Sequence, residues 1–308
     1  MEGVTPPPYA DRIGWLQRIL PWRRRNMLIA FLFILPALLN FTIFRYLPIF
    51  AAARASVYNY SLLGGYRGFI GFDHYLRLAE DPVFWKSLTV TIQYVTLKVP
   101  IEIVLALALA MFLQRETFGA GIVRSAILAP LVTSIIVVSI IWAMMYHSEQ
   151  GLIQSMLNAI GIPKQPFLSD EDRALPALTL MMIWKDVGFS MIILMAGLKG
   201  IPSTYYEAAL VDGANRWQAF RHVTLPLLRP VLMFVIVSQT VFSFQLFVPV
   251  YQMTKGGPLD STKVIVYYIY QQGFLFQDMG YASALSMVTL AILLVVSLFQ
   301  MRLLRTDY

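Results

Sequence analysis

The sequence predicts an all-α integral membrane protein with six transmembrane helices and a helix-turn-helix loop between the fourth and fifth. Three observations support this fold class. Of the 308 residues, 58% are hydrophobic and 13% are charged, about half the charged fraction usual in soluble domains. Six apolar runs are long enough to cross a bilayer. One polar, alanine-rich stretch, residues 207–226, separates two of these runs.

The six apolar runs set the predicted domain organisation. A spanning helix needs about 20 mostly apolar residues, and a helix satisfies its own backbone hydrogen bonds, as the lipid environment requires. The predicted spans are residues 27–49, 88–113, 120–146, 175–198, 227–252 and 280–303. Residues 1–26 are then a cytoplasmic N-terminal segment. Residues 27–308 form one membrane domain, with its longest internal loop at 199–226.

Lys and Arg placement predicts the orientation. With the N-terminus inside, thirteen Lys and Arg residues fall in inner segments and eight in outer segments. Basic residues collect on the cytoplasmic side of inner-membrane proteins, so we predict a multi-pass protein of the cytoplasmic membrane with both termini cytoplasmic. Arg23-Arg24-Arg25 precedes the first run, which lacks a small-residue cleavage site and is interpreted as an uncleaved span.

Composition argues against several function classes. The chain has no cysteine, which excludes disulfides and thiol chemistry. Its three histidines, His74, His147 and His222, are far apart in sequence, so no metal site is expected. The net charge of +7 follows from the inner-loop basic residues, and no nucleic-acid partner is predicted. No GxxxxGK[ST] run is present, so any ATP must be bound by another polypeptide.

The polar stretch predicts a short helix followed by a turn. Thr204 and Glu207 have the spacing of a capping box, which predicts that a helix begins there. Gly213 permits a turn or a close backbone approach.

Beyond that turn the sequence predicts a second short helix. Its apolar face would be Trp217, Phe220 and Val223 at near-helical spacing. Leu225-Pro226 would then begin the fifth span, because proline suits the first helical turn. From these residues alone, an interfacial amphipathic loop without a partner is an equal alternative.

The same residues resemble a known motif. Glu207-Ala208-Ala209, Gly213 and Leu225-Pro226 resemble the EAA loop, the signature of membrane subunits of binding-protein-dependent ABC importers; Val223 stands where the family usually has Ile. Three flanking stretches are similar to the carbohydrate-importer branch (MalF-, UgpA-, LacF- and SugA-like subunits). They are WKDVGFSM (184–191), MTKGGPLDSTKVIVYYIY (253–270) and YASALSM (281–287). The resemblance covers most of residues 27–308.

The resemblance implies a function and a set of partners. It implies a permease subunit, not an enzyme, that carries a di- or oligosaccharide or a related polyol. The partners would be a second homologous permease subunit, two ATPase subunits that bind ATP and Mg, and an extracytoplasmic sugar-binding protein. This chain would bind lipid but no cofactor. The residues expected to dock on the ATPase are Glu207, Ala208, Ala209, Asp212, Gly213, Leu225 and Pro226.

Polar residues inside span four are candidates for the cargo site, because intramembrane charges usually face a cavity or each other. Trp184, Lys185, Asp186 and Phe189 combine aromatic rings with charged groups that hydrogen-bond hydroxyls. The related importer subunits place this region in the substrate cavity. The alternative is that Lys185 and Asp186 pair with neighbouring helices.

Span five carries a second candidate set. Gln239, Ser243 and Phe247 recur at i, i+4 and i+8, with Gln245 nearby, which predicts one cavity-facing stripe. Hydrogen bonds between helices are the alternative use of such residues.

Two further predictions concern residues outside these sets. Lys98 and Glu102 lie four apart in span two and are predicted to neutralise each other inside the bundle. The tyrosines at 267, 268 and 270 are predicted to be interfacial anchors.

Two rival functions remain open at this stage. A secondary transporter or channel would need internal repeats or an acidic ladder, and neither is evident. An intramembrane enzyme would need a catalytic set in one plane, but all three histidines fall in predicted loops.

Overall fold

The computed structural model describes residues 22–114 and 119–304, and it confirms a mainly helical membrane fold. Five of the described helices are long and apolar enough to cross a membrane, and the number is six if a bent helix pair is counted as one span. Residues 1–21 lie outside the described residues, so the interpretation of the N-terminal segment stays a prediction.

The first unit ends at Ala55 and contains the first span. Helix α1 runs over Trp22–Phe41, a π-helical turn over Thr42–Tyr46, and helix α2 over Leu47–Ala55. The apolar stretch Met27–Ala55 is longer than the predicted 27–49, because helical structure continues past Phe50.

The second unit begins at Ser56 with a hairpin that the sequence did not predict. Strands β1 (Tyr58–Ser61) and β2 (Gly65–Phe69) pair antiparallel. Their aromatic side chains pack on one another, and the ring centroids of Tyr58 and Phe69 are 5.4 Å apart. Gly65 has a φ of 64°, which glycine adopts without strain in such a turn. Helix α3 (Asp73–Glu80) follows.

Spans two and four are long helices that start at aspartate caps. Helix α4 covers Pro82–Leu113, and the Asp81 carboxylate accepts hydrogen bonds from its first backbone amides. The next elements are α5 (Ala120–Val132), α6 (Ile135–Met145) and α7 (Leu152–Ala159). Helix α8 covers Glu171–Lys199, with Asp170 as its cap. Helices α4 and α8 make the most extensive helix contact of the described chain.

Span three is not the continuous helix that was predicted for residues 120–146. Helices α5 and α6 meet at 101°. At the break, both the amide and the hydroxyl of Thr133 donate to the carbonyl of Pro130. These bonds terminate α5, and the chain then continues in a different direction.

The remaining elements form the EAA loop, here residues 199–226, and the segments that come after it. They are α9 (Ser203–Val211), α10 (Arg216–Ala219), a π turn (Phe220–Thr224), α11 (Leu225–Phe244), a π turn (Val250–Thr254), α12 (Ile265–Tyr270), a π turn (Gln271–Leu275) and α13 (Met279–Leu304). The predicted fifth span, 227–252, is wrong at its end because α11 stops at Phe244. Helix α11 contacts α4, α8 and α13 and completes the walls of the cavity described next.

Candidate functional site

A cavity of about 400 Å³ lies among spans two to five. Its position follows from the break in span three, since residues on both sides of the 101° bend reach its wall. The lining residues are Tyr94 and Lys98 of α4, Leu131 of α5, Ile135 of α6, Met182, Lys185, Asp186 and Phe189 of α8, and Gln239 and Phe242 of α11.

A largely buried charge cluster lies at the wall of this cavity, and Lys98 and Asp186 are its charged members that line the cavity. The Lys98 ammonium lies 2.8 Å from Glu102 Oε2 and 2.9 Å from Asp186 Oδ2. The Lys98–Glu102 pair predicted from the sequence is confirmed. Asp186 is a third member, contributed by a different helix.

Hydrogen bonds close this cluster into a ring. Lys98 donates to Gln239 Oε1 at 3.1 Å, and Gln239 Nε2 donates to Ser190 Oγ at 2.9 Å. Ser190 Oγ donates in turn to Glu102 Oε1 at 2.6 Å. We call Lys98, Glu102, Asp186, Ser190 and Gln239 the polar cluster. A desolvated charge is tolerated only with such partners, so the cluster ties spans two, four and five together.

Lys185 contacts a different partner. Its ammonium donates to the carbonyl of Pro130 at 3.1 Å, in the last turn of α5, where the amide and hydroxyl of Thr133 donate to the same oxygen. A cation also suits the negative end of a helix dipole. The alternative that the charges of span four bind neighbouring helices therefore holds for Lys185 and Asp186, although both also line the cavity.

Sequence analysis missed Tyr94. It is fully buried and lines the cavity, and its hydroxyl has no hydrogen-bond partner among the described residues. Tyr94 lies one helical turn before Lys98, so the i, i+4 rule could have placed it beside the charge pair.

The other predicted cargo residues divide into two groups. Phe189 and Gln239 line the cavity, whereas Trp184 lies outside it and packs on Trp142 with ring centroids 5.4 Å apart. Ser243 is buried near the end of α11 without lining the cavity.

The predicted stripe on span five is wrong in its last turn. Gln245 lies exposed beyond the end of α11. Phe247 joins an aromatic group, with its ring centroid 5.1 Å from that of Tyr270 and 5.6 Å from that of Tyr251. Since the helix ends at Phe244, the i+8 position no longer follows the face that carries Gln239.

The EAA loop is largely exposed to solvent, whereas the residues of the polar cluster are mostly buried. No residue of α9 is buried; Glu207, Ala208, Asp212 and Gly213 are exposed and Ala209 is half-buried. The predicted turn is confirmed, because Gly213 has a φ of 77°. The amides of Gly213 and Ala214 donate to the carbonyls of Leu210 and Ala209, a glycine-terminated helix end.

The predicted capping box is wrong in position. Helix α9 is preceded by Pro202 and has no side-chain cap, so Thr204 and Glu207 lie within the helix. The capping box of this loop is Asn215 with Gln218, in which each side chain bonds to the other's backbone amide.

The predicted second short helix is also not separate. A single apolar helical run extends over Arg216–Phe244, so Leu225 and Pro226 lie inside it. The Trp217 and Phe220 rings stack at 5.4 Å, and Trp217 is 66% exposed. Between α9 and this run lies a concave surface of about 350 Å³ lined by Ala209, Asp212, Gly213, Ala214, Gln218, Ala219, His222 and Val223.

A third polar group lies at the other end of α4 from the EAA loop. Asp81 Oδ2 accepts hydrogen bonds from the hydroxyls of Tyr268 and Tyr281, both at 2.5 Å. Burial raises the pKa of the Asp81 carboxyl, but the bonds from Tyr268, Tyr281 and the backbone outweigh it and the pKa is lowered. Tyr268 is 4% exposed, so its prediction as an interfacial anchor is wrong.

Comparison with known proteins identifies the family. The family model described as "Binding-protein-dependent transport system inner membrane component" matches residues 82–306. The chain belongs to this family. The matched range covers every element of the cavity and the EAA loop.

Relatives agree with this assignment along nearly the whole chain. The chain is 36% identical to the probable ABC transporter permease protein YesP of Bacillus subtilis, over 89% of this chain and 90% of that protein. It is 34% identical to the lactose transport system permease protein LacF of Rhizobium radiobacter, over 88% and 92%. A crystal structure of a bacterial ABC transporter involved in the import of alginate matches with a TM-score of 0.79 and 25% identity, over 92% and 96%.

Family membership selects among the functions left open by the sequence. The chain is a multi-pass permease subunit of an ABC importer. A secondary transporter or channel and an intramembrane enzyme are no longer needed to explain its polar residues.

Proposed function

We propose that this subunit passes a carbohydrate, either a di- or oligosaccharide or a related polyol, through the cavity between spans two and five. The observation that carries the proposal is the polar cluster, a set of buried hydrogen-bonding groups at a cavity wall inside the membrane. Such groups mark substrate pathways because lipid makes them costly elsewhere. The name of LacF and the alginate importer structure support a sugar as the cargo.

The residues proposed to face the cargo are those that line the cavity with polar atoms or rings. Asp186 and Gln239 supply acceptors and an amide donor, Lys185 supplies an ammonium, and Phe189 supplies a ring. Tyr94 joins them through its unpartnered hydroxyl. Trp184, Ser243, Gln245 and Phe247 do not line the cavity and are left out of the proposed contact set.

The EAA loop is proposed as the coupling element. Its exposed helix α9 and the concave surface beside Gly213 would dock on one of two ATPase subunits, which bind ATP and Mg. A second permease subunit would complete the pathway. With both termini cytoplasmic, as proposed, the loop faces the ATPase.

An extracytoplasmic binding protein is proposed to deliver the cargo. A second solved structure, with a TM-score of 0.79 to this chain, is of a bacterial alginate ABC transporter in complex with an alginate pentasaccharide-bound periplasmic protein. That complex supports a similar delivery step for this importer.

Substitution of the loop glycine tests the coupling. Gly213 and Gly161 both have a positive φ and open space around the Cβ position, so Trp at either site meets the same local strain. We expect Gly213→Trp to abolish co-purification of the ATPase and ATP-driven uptake, while Gly161→Trp retains both. Retention of ATPase binding and uptake by Gly213→Trp would disprove the coupling role.

Two glutamines test the location of the cargo. Gln239→Leu removes an amide from the cavity wall, whereas Gln245→Leu changes an exposed side chain beyond the end of α11. In proteoliposomes with the ATPase and binding protein, we expect only Gln239→Leu to weaken ATP-driven sugar uptake while the complex stays assembled. Equal uptake by both variants would show that the cargo does not pass through this cavity.

A further inference from the structure

We infer that the cavity selects an uncharged cargo and rejects sugars that carry a carboxylate, phosphate or sulfonate. The inference rests on the proposed function, because it assumes that a sugar passes the cavity, and it adds the charge class of that sugar. It is drawn from how the charged groups of the cavity are paired.

The charges at the cavity cancel. Lys98 and Lys185 contribute two positive charges, and Glu102 and Asp186 contribute two negative charges, so the sum is zero. A site for an anion would need a surplus positive charge, because an unpaired charge is strongly disfavoured at low dielectric.

Lys98 is not available for an anionic cargo. An ammonium has three donors, and Lys98 Nζ is already surrounded by three oxygens, those of Glu102, Asp186 and Gln239, within 3.1 Å. Lys98 is also 1% exposed. The Lys185 ammonium donates one hydrogen bond to the Pro130 carbonyl, and Lys185 is 8% exposed.

The charged group most open to the cavity is a carboxylate. The side chain of Asp186 is 21% exposed, compared with 1% for Lys98 and 0% for Glu102. A carboxylate accepts hydrogen bonds from hydroxyls and repels another anion. Tyr94, whose hydroxyl can both donate and accept, lines the same cavity. These groups match the hydroxyls of a neutral sugar.

The fold alone does not impose this selection. A related structure belongs to an importer of an acidic polysaccharide, so the same architecture accommodates charged cargo. In this chain we assign the restriction to the pairing of Lys98 with two carboxylates.

The test measures equilibrium binding of matched sugar pairs to the assembled transporter without its binding protein, which would otherwise select the cargo first. The probes are labelled lactose, maltose and cellobiose and their aldonic acids, lactobionate, maltobionate and cellobionate. We expect the wild-type complex to bind at least one neutral member about tenfold or more tightly than its acid. Asp186→Asn keeps the volume and an acceptor for Lys98 but leaves one positive charge in excess, so we expect the preference to shift toward the acid by roughly tenfold or more.

Two further variants complete the test. Asp172→Asn removes the same charge from the first turn of the same helix, about 20 Å away at 1.5 Å per residue, and we expect no shift. Glu102→Gln gives the same excess charge without changing the cavity lining, so it should shift the preference even if Asp186→Asn fails to assemble.

The outcomes separate this inference from the proposed function. Equal or tighter binding of an acid by the wild type, or an unchanged preference in both Asp186→Asn and Glu102→Gln, would overturn the inference while leaving carbohydrate transport intact. Binding of no probe of either class by an assembled complex would overturn the carbohydrate proposal itself.

Discussion

The EAA loop and the membrane cavity are built in opposite ways. The loop is shaped by bonds between residues close in sequence, such as the Asn215–Gln218 box, and its helix α9 buries nothing. The cavity is shaped by bonds between residues 49 to 141 positions apart. The difference indicates that the loop has its form before it meets a partner, whereas the cavity exists only when four spans are packed.

The largest expected effect is a loss of stability when the polar cluster at the cavity is disrupted. Lys98→Met leaves the buried Glu102 and the half-buried Asp186 without their counter-charge, and breaking a buried ion pair costs about 3–5 kcal/mol. We expect a loss of that size in the free energy of unfolding of the detergent-solubilised protein, followed by thermal denaturation. Adding Glu102→Gln and Asp186→Asn should restore most of it. Wild-type stability of the single variant would show that the cluster is not desolvated.

A glycine pair tests the packing that holds the cavity open. A Cβ at Gly188 would lie 2.6 Å from the Ile127 carbonyl oxygen, whereas one at Gly121 has nothing within 4 Å. Overpacking of this kind costs about 1–3 kcal/mol. We expect Gly188→Ala to be destabilised by that amount in the same measurement and Gly121→Ala to be neutral or slightly stabilised. The reverse order would contradict the close approach of α5 and α8.

Asp81 extends the comparison between local and long-range contacts. It lies outside the spans, but its carboxylate bonds to residues distant in sequence, Tyr268 and Tyr281. Asp81→Asn weakens its four hydrogen bonds, and bonds to a charged group contribute about 1.5–3 kcal/mol. Because the folded-state pKa of Asp81 lies below the ordinary value of 3.8, its contribution is present above about pH 4 and is lost as the pH falls through the folded-state value. We expect the stability of the wild type to fall more steeply than that of Asp81→Asn in acid. Parallel pH profiles would argue against the tyrosine bonds.

The smallest effect concerns the loop. Asn215→Ala removes the observed cap and should cost about 1 kcal/mol of local stability, detected as faster amide exchange in residues 215–219. Thr204→Ala removes a residue of the sequence-predicted cap that the structure does not use, and we expect no change. Faster amide exchange at the start of α9 in Thr204→Ala would instead support the capping box predicted at Thr204 and Glu207.

Features set by local sequence were the ones that sequence analysis predicted well. Hydropathy predicted the five long apolar helices and the bent helix pair. Gly213 predicted the turn, and its φ of 77° is a backbone conformation that glycine adopts without strain. The Lys98–Glu102 pair followed from i, i+4 spacing on one helix. The EAA pattern identified the family without any structural information.

Features set by tertiary contact were missed. The break at Thr133 is hidden inside a continuously apolar run, and its carbonyl acceptor is bonded by Lys185, 55 residues away. Asp186 of α8 pairs with Lys98 of α4 and so completes the polar cluster. Tyr268 is buried because its hydroxyl donates a hydrogen bond to Asp81, and it does not lie at the membrane interface as predicted. No pattern within one helix encodes such partners, so the cavity lining could be predicted only in part.

The most direct test of the whole account compares a loop variant with a cavity variant of the permease. Sugar binding by the purified membrane subunits, ATPase co-purification and ATP-driven uptake are measured for Gly213→Trp and Asp186→Asn. We expect Gly213→Trp to abolish uptake while the permease still binds neutral sugar, and Asp186→Asn to keep its ATPase while its preference shifts toward the acid. If both variants lose the same property, the loop and the cavity do not have the separate roles proposed for them.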